Sequence, residues 1–209
     1  MNLTVPKISI VIPVKDTAPY LEACISSILS QTFGNWELIA VNDNSSDNSL
    51  DILTDFAARD KRIKVFTNPT PGLLEALRFG YEQTSGELIH RMDSDDKMPL
   101  NKLQLMVEAW QQNGKGSLIT GGTEYFKDNG EVGDGFRRYD AWLREVARNQ
   151  SHEIEMYREC VIPSNCWLVH REDFEGVGGF EPETFPEDYD LCFRFITGGL
   201  NIIGLDEVL

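Results

Sequence analysis

Residues 7–14 read KISIVIPV, and residues 36–41 read WELIAV. Each is a short, β-branched, almost unbroken apolar run, and a strand is that apolar only when both of its faces are covered. Between them, Thr17 can open a helix with Pro19 in its first turn, and Leu21, Ile25, Ile28 and Leu29 recur at helical spacing as far as Gln31. The alternation then repeats. Ser46 or Asp47 starts a helix on Ile52 and Phe56, Arg62–Phe66 is a third strand, and Leu73, Leu77 and Tyr81 mark a third helix that Gly86 ends. Glu87–Met92 is a fourth strand, and Leu103, Met106, Val107 and Trp110 lie on a fourth helix. Strand followed by helix, four times over, predicts a parallel α/β sheet with right-handed crossovers.

After Gly116 the rhythm changes. Ser117–Gly121 reads as one more strand, Thr123–Arg138 as a hairpin turning at Asp128-Asn129-Gly130, and Tyr139–Asn149 as a helix. Cys166–His170 is expected as a strand, Glu187–Thr197 as a helix stopped by Gly198-Gly199, and Asn201–Leu205 as a strand. There is no internal repeat, linker or low-complexity segment, so the 209 residues are expected to form one domain with an irregular second half. The last residues follow directly on a strand, which suggests a chain cut short at its C-terminus.

Nineteen Lys and Arg against 34 Asp and Glu give a net charge of −15, a surface that repels phosphate backbones and argues against a nucleic-acid partner. No signal peptide opens the chain and no apolar run is long enough to span a bilayer, so a cytoplasmic protein is expected. The four cysteines form no CxxC pair and are expected as free buried thiols. The one basic amphipathic stretch is the helix over 139–149 with its approach: Arg137, Arg138, Arg144 and Arg148 beside Trp142 and Val146. Such a helix could rest on anionic lipid at the inner face of a membrane, but Asp140 and Glu145 interrupt its positive face, which favours an ordinary solvated surface.

Ligands of open α/β sheets bind outside the carboxyl ends of the strands. Three polar clusters fall at such ends: Lys15-Asp16 after Pro13-Val14, Asn42-Asp43-Asn44, and Asp93-Ser94-Asp95-Asp96. Neither a GxGxxG nor a GxxxxGK[ST] fingerprint is present to cradle phosphates. Carboxylates crowded in one turn repel one another unless a cation neutralises them, and hard oxygens suit Mg²⁺ or Mn²⁺. A solvated Asp-rich turn is the competing reading, and the position after a buried strand favours the metal. Glu187-Asp188-Tyr189-Asp190 opens an apolar-faced helix. Acids there complement the macrodipole, and one of them could equally serve as a general base.

Taken in order, ISIVIPVKDTAPYLEACISSILSQTFGNWELIAVNDNSSDNSLDIL, GELIHRMDSDD and GGFEPETFPEDYDL resemble the family-2 glycosyltransferases, inverting enzymes of the GT-A fold. The resemblance runs from about Ile8 to Leu209. It implies a bacterial enzyme with one catalytic domain over 1–209, its Rossmann-like, mostly parallel central sheet flanked by helices. A nucleotide-sugar-binding half would occupy 1–112 and an acceptor half with the ED motif 113–209. By the same resemblance Pro13, Val14, Lys15, Asp16, Asp43 and Asp93 would hold the nucleotide, and Asp93 and Asp95, the DXD pair, would hold Mn²⁺ or Mg²⁺. Asp188 would be the catalytic base, with Glu187 beside it. Asp96, Asn165 and Trp167 are candidate donor-sugar or acceptor contacts. The implied reaction transfers a sugar, most simply from a UDP-sugar, to a saccharide or lipid-linked acceptor in cell-surface polysaccharide synthesis.

The chain also departs from the pattern. Lys15-Asp16 stands where Tyr-Asn is usual, removing a ring that could stack on the base, Asn42 replaces a usual Asp, and Leu77-Arg78 replaces a frequent Arg-Asn or Leu-Asn pair. Two other functions stay open at this point. A nucleotidyltransferase also pairs aspartates on a metal, but it normally carries a basic glycine-rich loop that PVKDTAP lacks. A non-catalytic sugar-nucleotide-binding module would bind the donor without turning it over.

Overall fold

The computed structural model describes residues 5–127, 130–181 and 186–209, which divide into two compact units, Met1–Gln104 and Leu105–Leu209. The first unit carries β1 (Ile8–Val14), β2 (Trp36–Asn42), β3 (Ile63–Thr67) and β4 (Leu88–Arg91) in the order β3-β2-β1-β4, with every pair parallel. Helices α1 (Ala18–Leu29), α2 (Ser49–Arg59) and α3 (Leu73–Glu82) make the crossovers, and α4 (Lys102–Asn113) runs across the division. The strands and helices expected over 7–113 are all present, displaced by a few residues at most at each end. Every residue of β1, β2 and β4 is buried, the polar Ser9, Glu37, Asn42, His90 and Arg91 included. Gly80 lets α3 approach the sheet: a Cβ there would lie 2.8 Å from Val11 Cγ1 and 2.9 Å from Val41 Cγ2.

One charge is buried between these strands. The Glu37 side chain, 3 % exposed, receives Lys7 Nζ at 2.8 Å and Lys64 Nζ at 2.9 Å on one oxygen. Its other oxygen takes Ser9 Oγ at 2.7 Å and the Ser85 amide at 2.6 Å. Burial pushes the Glu37 carboxyl up, but the hydrogen bonds from Lys64, Lys7, Ser9 and Ser85 together outweigh it and hold the group well below the ordinary carboxylate range.

The second unit carries β5 (Ser117–Gly122), β6 (Trp167–His170) and β7 (Asn201–Val208) in the order β6-β5-β7, with β6 antiparallel and β7 parallel to β5. Its helices are α5 (Asp134–Asn149), the short α6 (His152–Glu155) and α7 (Arg171–Gly176), and α8 (Glu187–Thr197). The hairpin expected over 123–138 does not form: 123–127 and 131–133 pair with no strand, α5 begins at Asp134, and Asp128 and Asn129 lie outside the described residues. Trp167 centres the apolar core, its ring 5.6 Å from that of Phe174, 5.4 Å from Phe195 and 6.3 Å from Phe180. All four cysteines are free and buried, as expected from their spacing.

β7 passes close beneath α5 at Gly204, where a Cβ would sit 2.6 Å from Ala147 Cα and 2.8 Å from His152 Cε1. His152 is 3 % exposed there, and burial lowers its pKa from 6.5 to about 4. The unfolded chain therefore binds a proton below pH 6.5 that the folded chain refuses until about pH 4. Stability should be intact above pH 6.5 and fall by on the order of 3 kcal/mol across that interval. Melting temperatures taken at pH 7.5 and 4.5 should differ less in His152→Gln than in the native protein; equal differences would remove His152 as the cause.

Candidate active site

The carboxyl ends of the parallel strands β1, β2 and β4 lie at one edge of the sheet and line a pocket of about 390 Å³ in the first unit. Pro13, Val14, Lys15, Asp43, Asp93 and Asp95 line it, so the structure brings together six of the residues singled out in the sequence. Leu73, Arg91 and Ser94 complete the wall.

Each polar wall residue is held by its neighbours. Asp43, 7 % exposed, accepts Asn68 Nδ2 at 2.7 Å and the Gly72 amide at 3.0 Å, fixing the segment that leads from β3 into α3. Gly72 sits at φ +139°, a conformation closed to most side chains, so its amide can turn toward Asp43. Lys15 Nζ donates to the carbonyls of Asp43 at 2.7 Å and Asn44 at 2.9 Å, tying the end of β1 to the end of β2. Arg91, whose side chain is 6 % exposed, directs Nε to Asp93 Oδ1 at 3.0 Å. A guanidinium so buried needs an anion beside it, and here the anion is the first aspartate of the cluster. Ser94 Oγ accepts from Thr17 Oγ1 at 2.9 Å, linking that cluster to the start of α1.

Asp16, expected at the nucleotide, lies outside this lining. At φ +51° its Oδ1 accepts the Ser46 and Asp47 amides at 2.6 and 3.3 Å, and these bonds hold the carboxyl below its ordinary range. Asp47 in turn accepts the Ala18 amide at 2.9 Å and the Ser49 amide at 2.9 Å, serving the first turns of α1 and α2 together. Asp96 is half-buried, its amide donating to the Asp93 carbonyl at 3.2 Å.

In the second unit, Glu187 and Asp188 form the first turn of α8, both half-buried, where the macrodipole favours acids. Asp188 Oδ1 accepts the Tyr189 amide at 2.9 Å. The helix is clamped from behind: Arg194 donates to Asp190 at 2.6 Å and to the carbonyls of Val177 at 2.6 Å and Gly179 at 3.0 Å. Cys160 Sγ donates to the Ile162 carbonyl at 3.3 Å; the neighbouring Cys192 thiol and burial push the Cys160 thiol up, while Cys160 draws that of Cys192 down. Asn165 is half-buried on the segment before β6. Trp167 is corrected to a core residue: at 1 % exposure its ring is closed in by phenylalanines, so it offers no surface to a ligand.

Arg91, Ser94 and Leu73 were not among the candidate ligand-binding residues read from the sequence, although Ser94 lies in the Asp93-Ser94-Asp95-Asp96 cluster and Leu73 marks α3. For Arg91 a signal existed, since an arginine ending a buried strand two residues before an aspartate has to find a partner. Along the basic stretch on α5, Val146 is 2 % exposed, and Arg137, Arg144 and Arg148 pair with Glu131, Glu124 and Asp206. No helix among the described residues is long and apolar enough to cross a membrane.

The residues fit a divalent cation in one specific way. No three His, Cys, Asp or Glu side chains gather around a point among the described residues, but Asp93 and Asp95 share one wall of an open pocket. Mg²⁺ and Mn²⁺ are commonly held by one or two carboxylates, with the remaining oxygens coming from the phosphates of a ligand.

A family model described as glycosyl transferase family 2 matches residues 9–178. The chain is 30 % identical over 171 residues, 80 % of its own length and 66 % of the other protein's, to the UDP-Glc:alpha-D-GlcNAc-diphosphoundecaprenol beta-1,3-glucosyltransferase WfgD of Escherichia coli. Among solved structures, S. aureus TarS 1-349 in complex with UDP superposes with a TM-score of 0.72 at 16 % identity, over 96 % of this chain and 58 % of that one. The mannosyltransferase PcManGT from Pyrobaculum calidifontis, in complex with GDP-Man and Mn²⁺, gives 0.72 at 15 % identity, over 97 % and 55 %. These two likenesses establish the GT-A fold. The chain spans from about a third to about two thirds of the length of the curated relatives it matches.

Proposed function

The chain belongs to glycosyl transferase family 2, and from that premise we propose that it carries out metal-dependent, inverting transfer of a sugar from a UDP-sugar to a hydroxyl of a saccharide or lipid-linked acceptor. The observation that carries the proposal is the pocket where Asp43, Asp93 and Asp95 meet at the ends of three parallel strands. Pro13, Val14, Lys15 and Asp43 bind the nucleotide, with Leu73 as the apolar surface against it. Asp93 and Asp95 hold Mn²⁺ or Mg²⁺, which when bound neutralises charge on the diphosphate. Arg91 keeps the Asp93 carboxylate turned to its place.

Asp188 is the base. Its carboxylate takes the proton of the acceptor hydroxyl as that oxygen bonds to the anomeric carbon. The bond from the anomeric carbon to the diphosphate oxygen breaks on the opposite face, and the nucleoside diphosphate leaves with the electron pair. Configuration inverts because attack and departure are on opposite sides. The lipid-linked acceptor is the finer part of the proposal; it is supported by what WfgD acts on, and it places the reaction at the cytoplasmic face of a membrane, in surface polysaccharide synthesis.

A panel of UDP- and GDP-sugars with Mn²⁺, read by thermal shift and by release of nucleoside diphosphate, tests this reading. UDP-sugars should raise the melting temperature only with the metal and be hydrolysed slowly without acceptor. Binding with no turnover even after acceptor is added would make the chain a non-catalytic module. Pyrophosphate released from a nucleoside triphosphate and a sugar phosphate would make it a nucleotidyltransferase.

A further inference from the structure

The second unit holds another cavity, of about 530 Å³, within the range of about 300–1,000 Å³ usual for small-molecule sites. Its lining is chemically distinctive. Three cations, Lys127, Arg137 and Arg144, face three carboxylates, Glu124, Glu131 and Asp140, with the Tyr125 ring among them. Tyr125 is 44 % exposed and lies 4.7 Å from the ring of Phe136, which is 51 % exposed, so the two form an accessible aromatic ledge. Asp140 is buried, and its oxygens accept the Tyr125 amide at 2.9 Å and Thr123 Oγ1 at 3.3 Å, so the ledge is fixed from below.

Because every cation is matched by a carboxylate, a phosphate or other anion has no net attraction to the cavity. An apolar ligand would strand the charged groups. A neutral, polyhydroxylated ring fits both halves of the lining. Planar Arg and carboxylate side chains offer paired donors and acceptors to adjacent hydroxyls, and the electron-rich face of Tyr125 suits the C–H face of a pyranose. The existing ion pairs are loose enough to exchange for such bonds. Arg137–Glu131 is 3.0 Å long but exposed at both ends, Arg144–Glu124 is 3.8 Å, and Arg144 Nε is buried with no hydrogen-bond partner. The ledge is also anchored within this unit: Tyr125 stands 6.3 Å from Tyr139, and Tyr139 Oη donates to the Cys160 carbonyl at 2.8 Å.

We propose that this cavity binds a pyranose unit of the acceptor saccharide, beyond the sugar that receives the transferred residue. The inference rests on the glycosyltransferase reading and adds the site that holds the acceptor's body. Methyl β-glycosides of glucose, galactose and N-acetylglucosamine, observed by saturation-transfer difference NMR, are the probes. At least one should show enhanced ring-proton signals with the native protein. That signal should drop at least fivefold in Tyr125→Ala and Arg137→Ala and persist in Tyr125→Phe. Donor hydrolysis should stay unchanged in all three variants, and their melting curves confirm folding. Absence of signal from every glycoside, or a signal that survives both alanine variants, overturns the inference while donor hydrolysis keeps the parent reading intact. Sedimentation with anionic vesicles that depends on Tyr125 overturns it in favour of a lipid surface. Loss of donor hydrolysis in the native protein would instead sink the parent reading.

Discussion

Asp188→Asn is expected to lower sugar transfer by about 10²–10⁴-fold, the usual worth of a positioned general base, with the donor's dissociation constant nearly unchanged. The change is conservative where the fold is concerned. Asn keeps an Oδ1 to accept the Tyr189 amide, and α8 remains clamped by Arg194 to Asp190, Val177 and Gly179. What is lost is the one capacity transfer needs, a carboxylate that can take the acceptor proton. In the proposed function the donor is bound by other residues, those of the first unit, so a thermal shift with UDP-sugar and Mn²⁺ should match that of the native protein. Glu187→Gln, one position earlier on the same turn, should retain more activity than Asp188→Asn. Comparable transfer by Asp188→Asn, or a larger loss in Glu187→Gln, would move the base away from Asp188.

Glu37→Ala should cost on the order of 3–5 kcal/mol, because removing one partner of a buried charge cluster leaves the others unsatisfied. Five groups lose a hydrogen bond to Glu37, namely Lys7, Lys64, Ser9 Oγ, and the amide and hydroxyl of Ser85, of which Lys7 keeps its bond to Ser85 Oγ at 2.8 Å. The two lysines are 37 % and 44 % exposed and can turn to water, which favours the lower end of that range. In a chain of this length the loss corresponds to a fall of about 6–12 °C in Tm. The pH dependence has a definite sign. The folded pKa lies below the ordinary 4.5, so the contribution is full above pH 4.5 and is lost as pH falls toward the folded value. Guanidinium unfolding at pH 7 and pH 3 should therefore converge for the native and variant proteins; a gap that stays constant would mean the charge plays no part.

The strands of the first unit were legible because burial on both faces leaves a composition that only a covered strand tolerates, as in Ile8–Val14 and Trp36–Asn42. The start of α5 was not. Gly133 and Gly135 flank Asp134 at its first turn, and with Asn129-Gly130 upstream they carry the signals of a turn. The helix is secured instead by burial of Asp140, Leu143, Val146 and Ala147 further along, and by the Tyr125–Phe136 contact. α7 was missed because six residues are too few for a helical period, and its cap is His170, whose Nδ1 accepts the Glu172 amide, a residue outside the usual capping set. Asp43, Asp93 and Asp95 line one pocket because the carboxyl ends of parallel strands share one edge of the sheet. Asp16 lies outside that lining, and an aspartate that supports a loop and one that lines a pocket have the same sequence signature. Trp167 was misjudged for a related reason: its neighbours Phe174, Phe180 and Phe195 come from three later segments, and no local pattern announces them.

Lys15 stands where a stacking ring was expected, and its ammonium is already tied to the carbonyls of Asp43 and Asn44 before anything enters the pocket. A long, flexible side chain usually gives up rotational freedom when a ligand arrives, a penalty of about 0.5–1.5 kcal/mol for each one immobilised. Here that freedom is surrendered during folding. Whatever binds against this wall meets that side chain already set, and the entropy of fixing it does not count against affinity.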